Sequence, residues 1–240
     1  MLPRRRAAYA ADMGEIIERS FRTLDAPMRR ALELAWESAR AGSLGIGAVA
    51  VTGAGAELAT GRNRLFERDA GDDVLAGSSL AHAEMNVLAK RATRRHEDDE
   101  LVLHTTLQPC VQCLWAIRLI PVRRVRVLAP DPIFRGIERI RDVNPFLASN
   151  WPEIEQLPIT EWSVLSLLFP THTGVFWSSQ LDQWSHHLPG LTALAERLVA
   201  DRALVEHATG DADVVTVATT IWSDLGAGVA EVETLAESDG

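Results

Sequence analysis

Two short clusters hold the side chains that could do chemistry. His82-Ala83-Glu84 comes first and, with 24 residues between, Pro109-Cys110-Val111-Gln112-Cys113 follows. One imidazole and two thiolates supply three ligands of a tetrahedral zinc. The fourth position is left for water, as in a catalytic site rather than a closed structural one. Zinc lowers the pKa of such a water towards roughly 7. Glu84 would lie beside the ion without binding it, placed to take the water's proton and pass protons to a ring nitrogen and a departing amine. The chemistry these parts predict is hydrolytic loss of ammonia from an aminated heteroaromatic ring.

A structural zinc would need a fourth protein ligand, and Cys110 and Cys113 are the only cysteines. His104 would have to complete the set, but it sits in an apolar strand and reads as a core histidine satisfied by hydrogen bonding. A structural site also has no use for Glu84. Two cysteines this close are too few for a disulfide framework. Asn63 alone reads as a turn residue. Asp131, before Pro132, reads as a helix or turn cap. Trp115, two residues after Cys113, is expected to line the pocket or to sit in the core. His172, His186, His187 and His207 are expected in surface or packing roles.

The elements that must position these groups alternate. Periodic apolar residues and Pro27 predict a helix over 27–41. Strands are expected at 47–52 and 57–61, then a loop over 64–80 rich in Asp, Gly and Ser. That length makes the loop either a functional gate or an unstructured segment. A helix over 81–94, an acidic turn over 97–100, a strand over 101–105, a helix over 110–120, a strand over 122–128 and a helix over 133–141 complete the pattern. Cys110 thus opens a helix, and His82 lies at the start of another. Unpaired amides and the positive dipole end there favour thiolate. Alternating strands and helices predict an α/β fold, a layered sheet flanked by helices.

Past residue 150 the pattern changes. The apolar run Trp162–Phe169 is expected as a last strand, with helices over 179–207 and 212–225 and a small, acidic tail. The expected division is an N-terminal segment (1–26), a catalytic domain (27–149) and a mainly helical C-terminal extension (150–240). Five of the seven tryptophans (Trp151, Trp162, Trp177, Trp184, Trp222) lie in this extension. Aromatics at that density predict packing, within a subdomain or at a subunit interface.

Charge divides the same way. Residues 1–149 carry 22 basic and 19 acidic side chains, and residues 150–240 carry 2 and 14. Lys90 is the only lysine. The acidic C-terminal part counts against a nucleic-acid surface, and Arg4-Arg5-Arg6 reads as a frayed, solvated end. No apolar run reaches the roughly 20 residues of a membrane span, and no secretory signal is seen, so a cytoplasmic protein is expected.

H-x-E followed by P-C-x-x-C is the signature of zinc deaminases, and the sequence resembles the cytidine/deoxycytidylate deaminase superfamily over about residues 27–135. Beyond the two zinc motifs, Met28-Arg29-Arg30-Ala31-Leu32-Glu33-Leu34-Ala35, Gly47-Ala48-Val49-Ala50-Val51, Gly61-Arg62-Asn63-Arg64 and Thr105-Thr106-Leu107-Gln108-Pro109-Cys110 look like stretches of its members. The wording is most similar to the branch holding guanine deaminase, bacterial tRNA adenosine deaminase and deoxycytidylate deaminase. The resemblance implies zinc on His82, Cys110 and Cys113, Glu84 as proton carrier, substrate hydrogen-bonding by Asn63, the amide of Ala83 near the reacting group, and a homodimer. It departs at Gln108, where the family often has Glu or Ser, and in the 18 residues between Asn63 and His82.

The expected function is zinc-dependent hydrolytic deamination of a small nucleobase or nucleoside, with a lean by resemblance to purines such as guanine. One alternative is base editing in tRNA or single-stranded nucleic acid, which would demand a positive track and stacking aromatics. The other is a scaffold that keeps zinc for stability and binds a protein partner.

Overall fold

Residues 2–91, 100–172, 179–202, 204, 207 and 210–237 are described by the computed structural model of the chain. Their sheet has five strands in the order β2-β1-β3-β4-β5: β1 (Gly47–Thr52), β2 (Glu57–Arg62), β3 (Leu101–Leu107), β4 (Val122–Ala129) and β5 (Glu153–Gln156). β1 runs antiparallel to both β2 and β3, whereas β3, β4 and β5 are parallel. Helices flank it: α1 (Leu2–Thr23), α2 (Ala26–Arg40), α3 (Ala83–Arg91), α4 (Val111–Leu119), α5 (Pro145–Ala148), α6 (Glu161–Leu168), α7 (Ser179–His187), α8 (Pro189–Ala200) and α9 (Val214–Glu237).

The central strands are buried on both faces, and their period of two sorts the core into two layers. Ala48 and Ala50 of β1, with Leu101 and Leu103 of β3, pack with Val87 of α3 and Ile117 of α4. Val49 and Val51 point the other way, into a larger cluster with α1, α2 and the C-terminal helices. α3 and α4 therefore lie on one face with their N-termini together. Gly61 allows α3 to come close to β2. A Cβ on Gly61 would stand 2.5 Å from the carbonyl oxygen of Ala83 and 2.9 Å from the amide nitrogen of Val87.

The structure corrects several expectations. Residues 162–169 do not form a strand: they belong to α6 and a 3₁₀ turn over Phe169–Thr171. A short apolar run carries no period that separates strand from buried helix. The distinguishing feature is local, since Ser163 Oγ accepts from the amide of Thr160 at 3.2 Å and closes the helix start. The fifth strand is 153–156 instead. The helix expected over 133–141 is a 3₁₀ segment over Ile137–Val143. Arg4–Arg6 fall within α1 rather than in a frayed end. The second half of that helix places Ile17 and Phe21 in the core. The acidic tail is helical to Glu237, with a kink at Ile221. Arg94, most of the acidic turn over 97–100, Trp177 and parts of the helix expected over 179–207 lie outside the described residues.

Trp162, Trp184 and Trp222 pack within the chain. Trp162 and Trp184 are buried, and the Trp162 ring packs tilted against Phe21 and edge-on against Trp222, with centroids 5.0 and 5.3 Å apart. Trp36 of α2 donates to the carbonyl of Ala212 at 2.7 Å. No helix among the described residues is long and apolar enough to cross a membrane.

If the close approach at Gly61 sets the position of α3, Gly61→Ala forces α3 outward. Overpacking of this kind costs about 1–3 kcal/mol, so a fall in Tm of about 2–10 °C is expected. An unchanged Tm would show that α3 is not seated by this contact.

Candidate active site

His82 immediately precedes α3, and Cys110 is the N-cap residue of α4, with φ −68° and ψ 173°. Adjacent parallel β3 and β4 flank α4 in sequence, so its start opens at the end of β3 beside α3. The three-residue spacing, just under one helix turn, then brings Cys113 back toward Cys110. His82 Nδ1 is 3.6 Å from Cys110 Sγ and 3.5 Å from Cys113 Sγ, and the two sulfurs are 3.7 Å apart. A tetrahedral ion with Zn–S about 2.3 Å and Zn–N about 2.0–2.1 Å needs sulfurs about 3.8 Å apart and N···S separations of about 3.5–3.6 Å. The donor set fits zinc in type and in spacing. Among the described residues these three form the group that could hold a metal. His104 takes no part: it is buried in β3 with Nδ1 3.5 Å from Asp25 Oδ1, a contact without hydrogen-bond geometry. Burial pushes the His104 pKa down.

The site's electrostatics follow from that crowding. The hydrogen bond from Cys113, opposed by burial and aided by His82, holds the Cys110 thiol down at about 4. The bond to Cys110 and then burial push Cys113 up. Without an ion, the pair therefore favours one thiolate and one thiol; metal binding requires both as thiolates and releases the remaining proton. Burial opposes charge on His82, but the bond to Cys110 and the nearby Glu84 outweigh it and raise its pKa. Burial raises Glu84 as well, more than His82 lowers it. Thr105 Oγ1 lies 3.0 Å from Glu84 Oε1 and Cys113 Sγ 3.5 Å from Oε2. Thr105 was legible in principle: it continues the period of Leu101 and Leu103, so it faces α3 and α4.

These groups open on a cavity of about 370 Å³, within the range of about 300–1,000 Å³ typical of small-molecule sites. Leu44, Ile46, Leu65, Phe66 and Leu107 line one part, and Ile133, Phe134 and Pro170 another. The polar lining is His82, Glu84, Cys110, Ser79, Gln108 and Asp131. Asn63 is fully buried and is not among the residues that line the cavity; its amide is oriented by the Leu65 N–H, which donates to Oδ1 at 3.0 Å. That leaves Nδ2 as a buried donor without a partner. Ala83 is buried in the first turn of α3, where backbone donors lack intrahelical acceptors. Trp115 is 40% exposed on the outer face of α4, so it neither lines the cavity nor enters the core.

Asp131 does cap its turn, accepting from the Ile133 amide at 2.8 Å, but it also lines the cavity. Gln108 holds that turn, accepting from the Asp131 amide at 3.0 Å and donating to the Phe134 carbonyl at 3.4 Å. The departure from the family pattern at Gln108 thus has a structural role in the wall.

Three soft ligands at tetrahedral spacing, a buried carboxyl group beside them and a layered α/β sheet are the features of a zinc-binding deaminase region. Residues 22–129 match the family of the cytidine and deoxycytidylate deaminase zinc-binding region. Among solved structures, a tRNA:A34 deaminase of A-to-I wobble editing is 26% identical over 58% of this chain and 97% of its own, with TM-score 0.47. Guanine deaminase from Nitrosomonas europaea is 22% identical over 60% and 83%, with TM-score 0.47. The dCMP deaminase of cyanophage S-TIM5 is 21% identical over 56% and 100%, with TM-score 0.35. No curated protein sequence matches the chain significantly.

Cys113→Ser is expected to reduce bound zinc from one equivalent to well below half, measured by elemental analysis after dialysis, whereas Glu84→Gln keeps it. Equal zinc in both variants would remove Cys113 from the ligand set. A second expectation concerns pH. Burial, the largest cause, pushes the Asp131 carboxyl up from 3.8 to about 7. Its stabilising contribution is therefore complete below pH 3.8 and is lost as pH rises through about 7. The neutral Asp131→Asn chain should gain stability over wild type between pH 4 and pH 8, on the order of 2–4 kcal/mol by denaturant titration. Parallel pH profiles would contradict the burial argument.

Proposed function

We propose that this chain is a zinc-dependent hydrolytic deaminase of a small aminated heterocycle, a nucleobase or nucleoside, and that it releases ammonia. The observation that carries the reading is the meeting of the His82, Cys110 and Cys113 donors with the carboxyl group of Glu84 beside a cavity that His82, Cys110 and Glu84 line. Zinc, when bound by these three residues, supplies a water acidified to near neutral pH. Glu84 takes and returns the protons. Its pKa, raised by burial, lets it hold a proton at Oε2, on the side of Cys113, and give it up to a ring nitrogen or a leaving amine. Thr105 holds the other oxygen, which limits the rotation of the carboxyl group.

Substrate recognition in this reading falls to Asn63, whose unpaired Nδ2 suits a ring nitrogen or carbonyl acceptor. Apolar walls from Leu44, Ile46, Phe66 and Phe134 suit the faces of a planar ring. No lysine or arginine is among the described residues that line the cavity, and two carboxyl groups, Glu84 and Asp131, are. A phosphate there would be desolvated with no lysine or arginine to pair it, which favours a base or nucleoside over a nucleotide. The lean towards a purine such as guanine, and the homodimer, rest on the family resemblance.

The test is ammonia release by zinc-loaded protein from cytosine, adenine, guanine and pterin compounds, each as base, nucleoside and nucleotide. Turnover of one class is expected, with Glu84→Ala slower by at least about 100-fold. Equal rates for both proteins would exclude Glu84 as the proton carrier. Silence of the wild type across the panel, with zinc bound, would overturn the small-heterocycle reading.

A further inference from the structure

The segment between Asn63 and His82 is too long to be an ordinary connection, yet the structure fastens it at three levels. Its neck is closed by Arg64, whose amide donates to the Ala81 carbonyl at 2.9 Å and whose carbonyl accepts from Gly77 at 3.0 Å. Charged groups brace its middle. Asp73, with a side chain only 5% exposed, takes Arg64 Nε at 2.7 Å on one oxygen and Lys90 Nζ at 2.8 Å on the other. Glu67 takes Arg62 and Arg64 at 2.7 and 2.8 Å.

The third fastening is Asn86, on α3. It is fully buried, and all four of its hydrogen-bonding positions are filled. Oδ1 accepts from the amides of Val74 and Leu75 at 3.1 and 2.7 Å, and Nδ2 donates to the carbonyls of Leu75 and Arg62 at 3.2 and 3.1 Å. Three of the four bonds hold residues 74 and 75. No other side chain of similar size offers two donors and two acceptors in this shape, so the anchor has no conservative replacement.

What the anchor holds reaches the cavity. The loop contributes Leu65, Phe66 and Ser79 to the lining. The Leu65 amide is the donor that orients Asn63 and leaves Nδ2 free, and the Phe66 amide is tied to Ser43 Oγ at 3.3 Å. Asn86 itself does not line the cavity. We propose that Asn86 is a positioning residue for substrate recognition: it fixes the 64–80 loop as a rigid wall of the cavity, so that the loop selects the heterocycle instead of opening and closing over it. This rests on the deaminase reading for its substrate, but its structural half can be tested without one.

Backbone amide exchange by NMR on the full-length, zinc-loaded protein tests that half. In Asn86→Ala, exchange at Val74 and Leu75 should rise about tenfold or more as their acceptor is lost. Exchange at Leu65 should rise with them, while Val87 of α3 and the zinc content stay as in wild type. Ammonia-release kinetics on whichever panel compound turns over test the other half: KM should rise about tenfold, with kcat within about threefold. Lys90→Met, which removes one charged brace, should move the same quantities in the same direction by less, and it serves if Asn86→Ala does not fold. Unchanged exchange at Val74 and Leu75 would overturn the anchor. Faster exchange there with Leu65 and KM unmoved would overturn the link to recognition. If the wild type turns over no panel compound, the small-heterocycle reading falls, whereas the exchange at Leu65 still decides whether the anchor holds the wall.

Discussion

The structure depends on bringing one imidazole nitrogen and two sulfurs to within 3.7 Å of one another in a protein that must otherwise keep polar atoms apart. Three unligated donors at this distance repel or share protons, and the opposite displacements of the two cysteine pKa values record that conflict. A zinc ion held by His82, Cys110 and Cys113 would resolve it by accepting all three lone pairs. The fold's task is to hold two helix starts side by side against that tension. The parallel β3–β4 pair sets where α4 begins, and the close contact of Gly61 with the first turns of α3 sets where that helix sits.

The rest of the architecture follows from covering the far side of the same sheet. α2, α6 and the C-terminal helices bury one face of β1, while α3 and α4 bury the other. α6 is apolar on nearly every side because it is enclosed on nearly every side: Trp162, Val164, Leu165, Leu167 and Leu168 are all fully buried. Ser166 fastens it to β3 through the carbonyl of Thr106 at 2.6 Å. The turn that follows α6 contains Pro170, which lines the cavity. Through that turn the C-terminal region reaches the site.

Legibility in the sequence tracks how local each signal is. The donor set and Glu84 were readable because each cluster lies within one helix turn, where spacing alone fixes proximity. The alternating strands and helices of the first half were readable for the same reason. The cavity wall was not, because Leu44, Phe66, Phe134 and Pro170 come from four separate segments, and nothing in any one segment marks it as a wall. Residues 162–169 were misread because a helix buried all round loses the polar face that gives it a period. Asp131 was read as a cap, which it is. Its second position, on the cavity, depends on the turn held by Gln108. Asn86 was invisible because its four partners are backbone groups, which carry no sequence.

Lys90 carries a different consequence. It is the only lysine in the chain, and its ammonium is committed to the Thr60 carbonyl at 2.6 Å and to Asp73 at 2.8 Å, with the side chain 23% exposed. The protein therefore presents a single side-chain amine, and that amine must release the loop before it can act as a nucleophile. Acylating reagents, aldehydes and amine cross-linkers all meet the same one side-chain address. How fast it reacts is a chemical gauge of how firmly the loop is attached.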